Sequence, residues 1–290
     1  MGLDHVGYYT NLEIAAGLCC PTWLKTNSAT LSDIPDPKEE LWRKSTAKLL
    51  RSYFKKLVLE INPIRFIEIG AHEASISIEL KELGISEVLA FEANPYVYEK
   101  YIQQVKNHGV DYKNLAISNQ SGNITLSIPK FSESLARADG SILSRSAGAE
   151  YVEVSIEAKK LSDIGFNNLT SKDLVALWID TEGVSFEVIK SSESFSEQIA
   201  LMLVEVEDIS YWENQKKAIE IFELCASLKL IPIMRDLDGR GQYNVIFLKQ
   251  DLIKSIGGTI STYWKDLGKL KYEFEEKINP RSSLTSFFRN

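Results

Sequence analysis

Short runs of β-branched and aromatic residues alternate along this chain with longer segments in which apolar residues recur at helical spacing. Two of these runs, residues 64–69 and 88–91, have an acidic residue at or next to their end, Glu68 and Glu92, and are then followed by a break. Such runs are typical of buried parallel strands that lead into loops and helices. The pattern therefore predicts the first half of a nucleotide-binding α/β sheet.

The same pattern predicts the remaining elements. Further strands are expected at residues 112–118, 124–128, 151–158, 174–179, 200–206, 231–234 and 243–248. Helices are expected at residues 38–61, 75–83, 95–108, around 186–189, at about 214–230 and in the tail from Asp251. The last two strands form a hairpin through residues 238–241, so an antiparallel edge closes the sheet.

The segments outside these elements differ in character. Residues 1–36 show no sustained period and predict an irregular arm, with Asp36 before Pro37 as the N-cap of the first long helix. Basic residues on that helix lie opposite its apolar side and are interpreted as a solvated face: Arg51, Lys55 and Lys56. Residues 129–150 are small and polar, and a loop of this length predicts a functional segment over the strand ends. We divide the chain into an arm and helix (1–60), a central domain (61–250) and a helical tail (251–290).

Composition narrows the class of protein. The chain has 290 residues, of which 44% are hydrophobic and 25% charged, as in soluble globular proteins. No apolar run reaches the roughly 18 residues of a membrane helix, and no secretory leader is recognised, which predicts a cytoplasmic protein without a membrane span. A net charge of −7 disfavours a nucleic-acid partner. The three cysteines suit neither a disulfide framework nor a zinc site.

The loop after the first strand carries the first chemical signal. Gly70 is placed for a tight turn, and Glu92 at the end of the second strand is placed to accept both hydroxyls of a ribose. The glycine-rich G-x-G-x-x-G is absent, and Glu68 and Glu73 would repel a pyrophosphate. A ligand with a ribose, an amino group and a positive centre fits better, and S-adenosylmethionine has all three. Gly70 is predicted to lie where this cofactor crosses the backbone, so that a side chain there blocks binding without unfolding the protein.

Three segments together form a recognisable set of motifs, which are Ile69-Gly70-Ala71, Phe91-Glu92-Ala93-Asn94-Pro95 and Ile179-Asp180-Thr181-Glu182-Gly183. With Ala116-Ile117-Ser118 and Val204-Glu205-Val206-Glu207, they resemble the FkbM-type family of class I S-adenosylmethionine-dependent methyltransferases over about residues 64–249. The family usually has aspartate at the position of Glu68 and Asn-x-Gly at the position of His72-Glu73-Ala74, so the grip on the methionine end of the cofactor differs here.

The resemblance implies an α/β fold with a Rossmann-like, doubly wound, seven-stranded sheet, a terminal antiparallel hairpin, and helical additions at both ends. It implies S-adenosyl-L-methionine as cofactor and O-methylation of a hydroxyl on a sugar or other small-molecule or glycan acceptor. The oligomeric state stays open, a dimer included. The cofactor-binding residues that it implies are Glu68, Gly70, Ala71, Glu92, Ala93, Asn94, Ser118 and Asp180.

A hydroxyl acceptor must lose a proton, and a positioned base typically contributes about 10²–10⁴-fold to the rate. Our catalytic candidates are Asp180, Glu205 and His72, because ligands bind at the carboxyl ends of strands in this fold. The neighbouring acids Glu182, Glu207 and Asp208 are also candidates.

Each candidate has a structural alternative. His72 could cap the following helix, and Glu182 could be a favourable anion at a helix start. Glu205 and Glu207 share one face of their strand, and the sequence leaves open which of them lies in the site. Asp180 and an acid at the end of the strand at residues 200–206 could together bind a divalent cation. No motif rich in metal ligands supports this, so no metal is predicted.

Two other functions stay open at the level of sequence. An NAD- or nucleotide-sugar-linked oxidoreductase would share the sheet but would need the missing glycine-rich loop. A non-catalytic Rossmann-like binding or assembly module would explain the unusual residues at Glu68 and at positions 72–74.

Overall fold

The computed structural model describes residues 37–130, 135–136, 140–143, 150–166, 168–236 and 241–278. Its helices are α1 (Pro37–Ile61), α2 (Ser75–Glu82), α3 (Pro95–Asn107), α4 (Leu161–Ile164), α5 (Ser185–Lys190), α6 (Ala218–Ser227) and α7 (Ile253–Ile278). Its strands are β1 (Arg65–Ile69), β2 (Glu87–Glu92), β3 (Asp111–Asn114), β4 (Ala116–Ile117), β5 (Gly122–Pro129), β6 (Tyr151–Lys159), β7 (Val175–Ile179), β8 (Ile199–Glu207), β9 (Leu230–Arg235) and β10 (Gln242–Lys249). The predicted arm at residues 1–36, with Asp36, and most of residues 129–150 lie outside the described residues.

Seven strands form the main sheet in the order β3-β2-β1-β7-β8-β10-β9. Strands β1, β2, β3, β7 and β8 are parallel, and β10 runs antiparallel to both β8 and β9. The predicted doubly wound α/β sheet and its terminal hairpin are therefore confirmed. In this order the carboxyl ends of β1, β2, β7 and β8 lie side by side at one edge.

A second, three-stranded sheet has the order β4-β6-β5. The predicted strand at residues 112–118 is wrong as a single unit, because it divides at Leu115 between the two sheets. Leu115 itself donates its N–H to the Glu92 carbonyl (3.0 Å). The residues that follow pack in a small separate core with β5 and β6, which draws the chain away from the main sheet; this core contains Ala116, Leu126, Ile128, Ile156 and Ala158.

Each face of the main sheet has its own core. One face packs against α1, α2, α3 and α7, and the opposite face packs against α4, α5 and α6. On the first face, the ring of Phe54 in α1 lies 5.2 Å from the ring of Trp178 in β7. Helix α1 therefore covers the sheet directly above the strands that carry the predicted site.

The terminal helices α1 and α7 pack on each other as well as on the sheet. The ring of Tyr53 lies 5.2 Å from that of Tyr263, and the ring of Trp42 lies 5.1 Å from that of Phe274. The predicted helical additions are confirmed, and the division at residues 60 and 250 stays a prediction. None of the described helices combines the length and apolar character that a membrane crossing requires.

Helix α6 is shorter than predicted because the backbone turns left-handed beyond both of its ends. Asn214 has φ 62° and Lys229 has φ 60°, neither of which continues a right-handed helix. At its first turn the Lys217 N–H donates to Glu220 Oε2 (3.0 Å). The expected span of residues 214–230 therefore contracts to Ala218–Ser227.

Candidate functional site

The predicted acids gather on one face of the sheet at its carboxyl edge. Glu68 is in register with Trp178, and Trp178 is in register with Leu203. Side chains alternate along a strand, so Asp180 and Glu205, two residues further on, lie on the same face as Glu68. Glu92 joins them because Glu68 is also in register with Ala90. This is the face that α1 covers.

The loop after β1 crosses this edge and begins at Gly70. The N–H groups of Gly70 and Ala71 both donate to the Phe91 carbonyl at 3.0 Å. Gly70 has φ 76°, and a Cβ atom there would lie 1.8 Å from the Asp180 carbonyl oxygen. The glycine is thus required by the backbone of β7. The prediction that a side chain at Gly70 would leave the fold intact is wrong.

The rest of the loop keeps an unusual backbone without further glycines. His72 has φ 47° and Ala74 has φ 52°, both left-handed. The His72 N–H donates to Glu92 Oε2 (2.7 Å), and its carbonyl accepts from the Tyr112 hydroxyl. These bonds to β2 and β3 stabilise a left-handed turn that glycine would adopt more readily.

The side chain of His72 turns toward α3. Its ring lies 5.2 Å from the ring of Tyr101. Burial lowers its pKa, and the charges that act on it belong to Glu73 and Lys100. The structure does not bring this ring to Asp180 and Glu205. Its suggested capping role is wrong, because Ala74 is the N-cap residue of α2 and makes no side-chain cap bond.

Glu68 ties β1 to the first turn of α2. Its Oε2 accepts from the N–H (3.1 Å) and the hydroxyl of Ser77, and the residue is 5% exposed. Burial raises its pKa to about 8, while the Ser77 bonds and Arg51 oppose the rise and Asp180 adds to it. Glu68 therefore holds the start of α2, and with it the end of the loop after β1, against the sheet.

Glu92 and Asn94 organise the end of β2. Glu92 Oε1 accepts from the Asn94 N–H at 2.7 Å, so each carboxylate oxygen of Glu92 holds one backbone amide. Burial raises the pKa of Glu92 to about 7, against the bonds from Asn94 and His72. Asn94 caps α3 by accepting from Tyr96 N–H (3.0 Å), and its amide donates to the Leu135 carbonyl (2.9 Å).

The other predicted cofactor residues frame this edge. Ala71 is buried, and the Ala93 carbonyl accepts from the Asn114 side chain (3.1 Å). Ser118 is buried just after β4, where its N–H donates to the Lys159 carbonyl (3.1 Å). Ser118 is thus held by the small sheet, beside the end of β2.

Asp180 and Glu205 form a pair at the ends of β7 and β8. Asp180 is exposed to solvent, yet the protein around it raises its pKa, which describes a group in a concave part of the edge. The register of β7 and β8 places Glu205 next to it on the same face of the sheet. Burial and then Asp180 raise the pKa of Glu205 well above its ordinary value. Two carboxyls this close disfavour double ionisation, so the pair keeps a proton more readily than isolated acids do.

The other predicted acids, Glu182, Glu207 and Asp208, differ in how they relate to this pair. Glu182 and Glu207 both raise the pKa of Glu205. Glu207 is buried, which raises its own pKa to about 7, and the Gln215 side chain opposes the rise. Asp208 is exposed, and its Oδ1 accepts from the Tyr243 hydroxyl (3.2 Å). The structure therefore places Glu205, rather than Glu207 or Asp208, directly beside Asp180.

Gly183, the last residue of the Asp-x-Glu-Gly segment, has a packing role. It has φ 76°, and a Cβ atom there would lie 2.5 Å from Cδ1 of Trp212, which is 2% exposed. Nearby, the Glu182 carbonyl accepts from the Ser141 hydroxyl (2.6 Å). This part of the motif thus fixes the loop after β8 against the end of β7.

Sequence analysis missed the role of Arg51. Its guanidinium donates to Ser75 Oγ (3.0 Å) and Glu79 Oε1 (2.7 Å), and it lies 5.8 Å from the centre of the Trp178 ring. Lys55 also bonds Glu79 (2.6 Å). The interpretation of this face as solvated is therefore wrong for Arg51 and Lys55. The available signal was their spacing of four residues, which places both side chains on one side of α1.

Metal binding has no support in the geometry of the described residues. Within that part of the chain, no three His, Cys, Asp or Glu side chains are grouped closely enough to hold a metal ion. Glu68 and Glu92 at this edge instead accept hydrogen bonds from backbone amides.

Comparison with known proteins identifies the family. The sequence profile described as "Methyltransferase FkbM domain" matches residues 68–236, more than half of the chain. A search of curated protein sequences gave no significant match.

Solved structures with a similar fold include three methyltransferases. Magnesium protoporphyrin IX methyltransferase from Synechocystis PCC 6803 with bound SAM has 9% identity and a TM-score of 0.40, over 74% of this chain and 83% of that chain. Ribosomal protein L11 methylase from Lactobacillus delbrueckii subsp. bulgaricus has 10% identity and a TM-score of 0.39, over 71% and 79%. Precorrin-6y C5,15-methyltransferase from Geobacter metallireducens has 12% identity and a TM-score of 0.35, over 76% and 91%. The profile match itself begins at Glu68, ends at Asp236 and contains every predicted site residue. The protein therefore belongs to the FkbM methyltransferase family, as its sequence motifs predicted.

Proposed function

We propose that this protein transfers the methyl group of S-adenosylmethionine to a hydroxyl of a sugar or other small-molecule or glycan acceptor. The observation that carries the proposal is the pair of neighbouring acids Asp180 and Glu205, at the same edge as Glu92 and the loop after β1. One edge thus offers both a group for a ribose and a group for an acceptor proton.

The residues at the edge fit this cofactor. A carboxylate has about four acceptor sites, and the two backbone amides on Glu92 leave capacity for the hydroxyls of a ribose. Burial raises the pKa values of Glu68, Glu92 and Asp180, and Asp180 adds repulsion at the two glutamates. A ligand with positive charge would relieve that repulsion, whereas the pyrophosphate of NAD would increase it. The charge of the edge thus favours methyl transfer over the oxidoreductase alternative.

The bound cofactor would supply an electrophilic methyl group, and the protein would supply alignment and a base. Asp180 is open to solvent at this edge and its surroundings raise its pKa, which makes it a stronger base than an isolated aspartate, so it is the group we assign to receive the acceptor proton. Glu205, beside it on β8, positions that carboxylate. Trp178 lies two residues earlier on the same face of β7. We assign no proton transfer to His72, whose ring lies against Tyr101.

Cofactor binding is tested by calorimetry with S-adenosylhomocysteine and, separately, NAD. We expect S-adenosylhomocysteine to bind and Glu92→Ala to weaken it by about 1.5–3 kcal/mol, the value of charge-assisted hydrogen bonds. Glu99→Gln, an exposed change on α3, is the matched control. Binding of NAD but not S-adenosylhomocysteine would reject the proposal.

Catalysis is tested by transfer of tritium-labelled methyl groups to small hydroxylated acceptors. Asp180→Asn keeps the shape and removes the charge, so turnover should fall about 10²–10⁴-fold, while affinity for S-adenosylhomocysteine changes only a few-fold. Asp251→Asn, at an exposed turn, should leave both unchanged. Full turnover by Asp180→Asn on a methylated acceptor would show that Asp180 is not the base.

A further inference from the structure

A cavity of about 160 Å³ lies between the first turns of α1 and the ends of β8, β9 and β10. Its lining includes Glu40, Arg43 and Ala47 from the helix, Glu205 and Asn244 from the strands, and Asp236 directly after β9. Nothing in the proposed cofactor site uses this space.

The cavity is continuous with the proposed reaction site through one residue. Glu205 lines the cavity and is also the neighbour of Asp180 on the adjacent strand. A molecule whose hydroxyl met Asp180 would therefore have its adjoining atoms directed into this space.

The strand wall presents polar groups in fixed positions. Asp236 is 4% exposed, and its two oxygens accept from the Asn244 N–H (2.7 Å) and side-chain amide (2.9 Å). Gln242 also lines the cavity, and Asn244 lies opposite Glu205 in the β10–β8 ladder. Because these groups are held by the β8–β10–β9 ladder, the wall is preorganised for hydrogen bonding to a ligand.

The helix wall carries two basic residues and one acid. Arg43 and Lys44 lie 3.5 Å and 3.2 Å from the carboxylate of Glu40, one turn earlier in α1, so this one carboxylate balances only one of the two positive charges. The charged groups that act on the strand wall are Asp180, Glu182 and Glu207 at Glu205, and Arg235 and Arg43 at Asp236. Over both walls and these neighbouring groups, and leaving Glu205 aside, the acids Glu40, Asp180, Glu182, Glu207 and Asp236 outnumber the bases Arg43, Lys44 and Arg235, so an anionic ligand is disfavoured.

We infer that this cavity binds the part of the acceptor next to the reacting hydroxyl, and that it selects a single small polar ring bearing hydroxyl or amino groups and no negative charge. The inference rests on the proposed function. At about 160 Å³ the space is smaller than the roughly 300–1,000 Å³ of sites that enclose drug-sized ligands, so it takes one ring and leaves the rest of the acceptor outside.

The test uses three probes that share a ring and differ in charge: methyl β-D-glucopyranoside, methyl β-D-glucosaminide and methyl β-D-glucuronide. Their dissociation constants are measured by saturation-transfer NMR at neutral pH on the full chain saturated with S-adenosylhomocysteine. We expect the glucoside and glucosaminide to bind, and the glucuronide to bind at least tenfold more weakly.

Two substitutions on α1 locate the binding. Ala47 is exposed and lines the cavity, so Ala47→Phe fills it without disturbing the core. The neighbouring exposed residue Lys48 is not among the residues that line the cavity, so Lys48→Phe is the matched control. We expect Ala47→Phe to weaken both neutral and amino probes at least tenfold, with S-adenosylhomocysteine affinity and melting temperature unchanged, and Lys48→Phe to match the wild type.

Each outcome decides the inference. Binding of none of the three probes, equal binding to Ala47→Phe, or preference for the glucuronide would overturn it. If S-adenosylhomocysteine binds in those cases, the proposed function stands and only the cavity assignment fails. If S-adenosylhomocysteine does not bind at all, the proposed function itself fails.

Discussion

Glu68 should make the stability of this protein depend on pH. The side chain is buried beneath the loop after β1, and burial raises its pKa from 4.5 to about 8 despite the two bonds from Ser77. At pH values between 4.5 and about 8, the Glu68 carboxyl has lost its proton in the unfolded chain but keeps it in the folded protein. The free energy of unfolding therefore falls as pH rises from about 4.5 to 8. Protonated Glu68 makes its full contribution to stability only below about pH 4.5.

The magnitude follows from the same two pKa values. Linkage gives a destabilisation of about 3 kcal/mol at pH 7 and about 1 kcal/mol at pH 5. Glu68→Gln has no such proton, so the stability of the variant relative to wild type should improve by about 2 kcal/mol between pH 5 and pH 7. At about 2–4 °C per kcal/mol for a chain of this size class, that is about 4–8 °C in melting temperature.

The assay is urea unfolding of both proteins at pH 5, 6, 7 and 8, with Glu99→Gln as an exposed control that should show a constant difference. Only the change with pH is diagnostic, because glutamine alters the bonds to Ser77 at every pH. A pH-independent difference for Glu68→Gln would refute the reasoning. A difference of opposite sign would show that Ser77 and Arg51 outweigh burial and keep Glu68 ionised.

Two further predictions concern packing. Gly70→Ala places Cβ against the Asp180 carbonyl and should prevent stable folding, whereas Gly84→Ala, at φ 100° with open space around it, should cost only about 1–2 kcal/mol for the left-handed backbone; equal melting temperatures for the two variants would contradict this. Arg51→Ala removes two charge-assisted bonds and should cost about 1.5–3 kcal/mol in chemical unfolding, against less than about 0.5 kcal/mol for the exposed Lys48→Ala. An Arg51→Ala loss no larger than that of the control would mean that α1 is held without this contact.

The sequence was sufficient for the fold because the strands carry a strong local pattern. The mainly apolar runs at residues 65–69 and 175–179 are typical of strands inside a buried sheet. Asn94 before Pro95 is a typical helix start. The division at Leu115 was not predictable in this way. Residues on both sides of it have strand character, and only the separate core around Ile128 and Ile156 decides which sheet each half joins.

The sequence predicted which acids lie at the site but not which residues contact them. Strand ends placed Glu68, Glu92, Asp180 and Glu205 at one edge, because a parallel sheet aligns its carboxyl ends. The direction of the His72 ring depends on a left-handed φ that no local pattern encodes. The contacts of Arg51 and the cavity under α1 depend on the packing of a helix far away in sequence, which periodicity does not specify.

Glu92 connects the loop to the cofactor, and this gives a final prediction on pH. Its two oxygens hold the amides of His72 and Asn94, so the ionised form supports the loop and keeps acceptor sites that these two bonds do not use. Burial raises the pKa of Glu92 to about 7, so protonation below that pH removes acceptor capacity at one oxygen. Affinity for S-adenosylhomocysteine should therefore rise with pH up to about 7 and level off above it. Glu92→Gln should bind more weakly and lose this dependence, as measured by calorimetry from pH 5.5 to 8.5. If the variant keeps the wild-type pH profile, another group controls it and the ribose assignment to Glu92 loses its support.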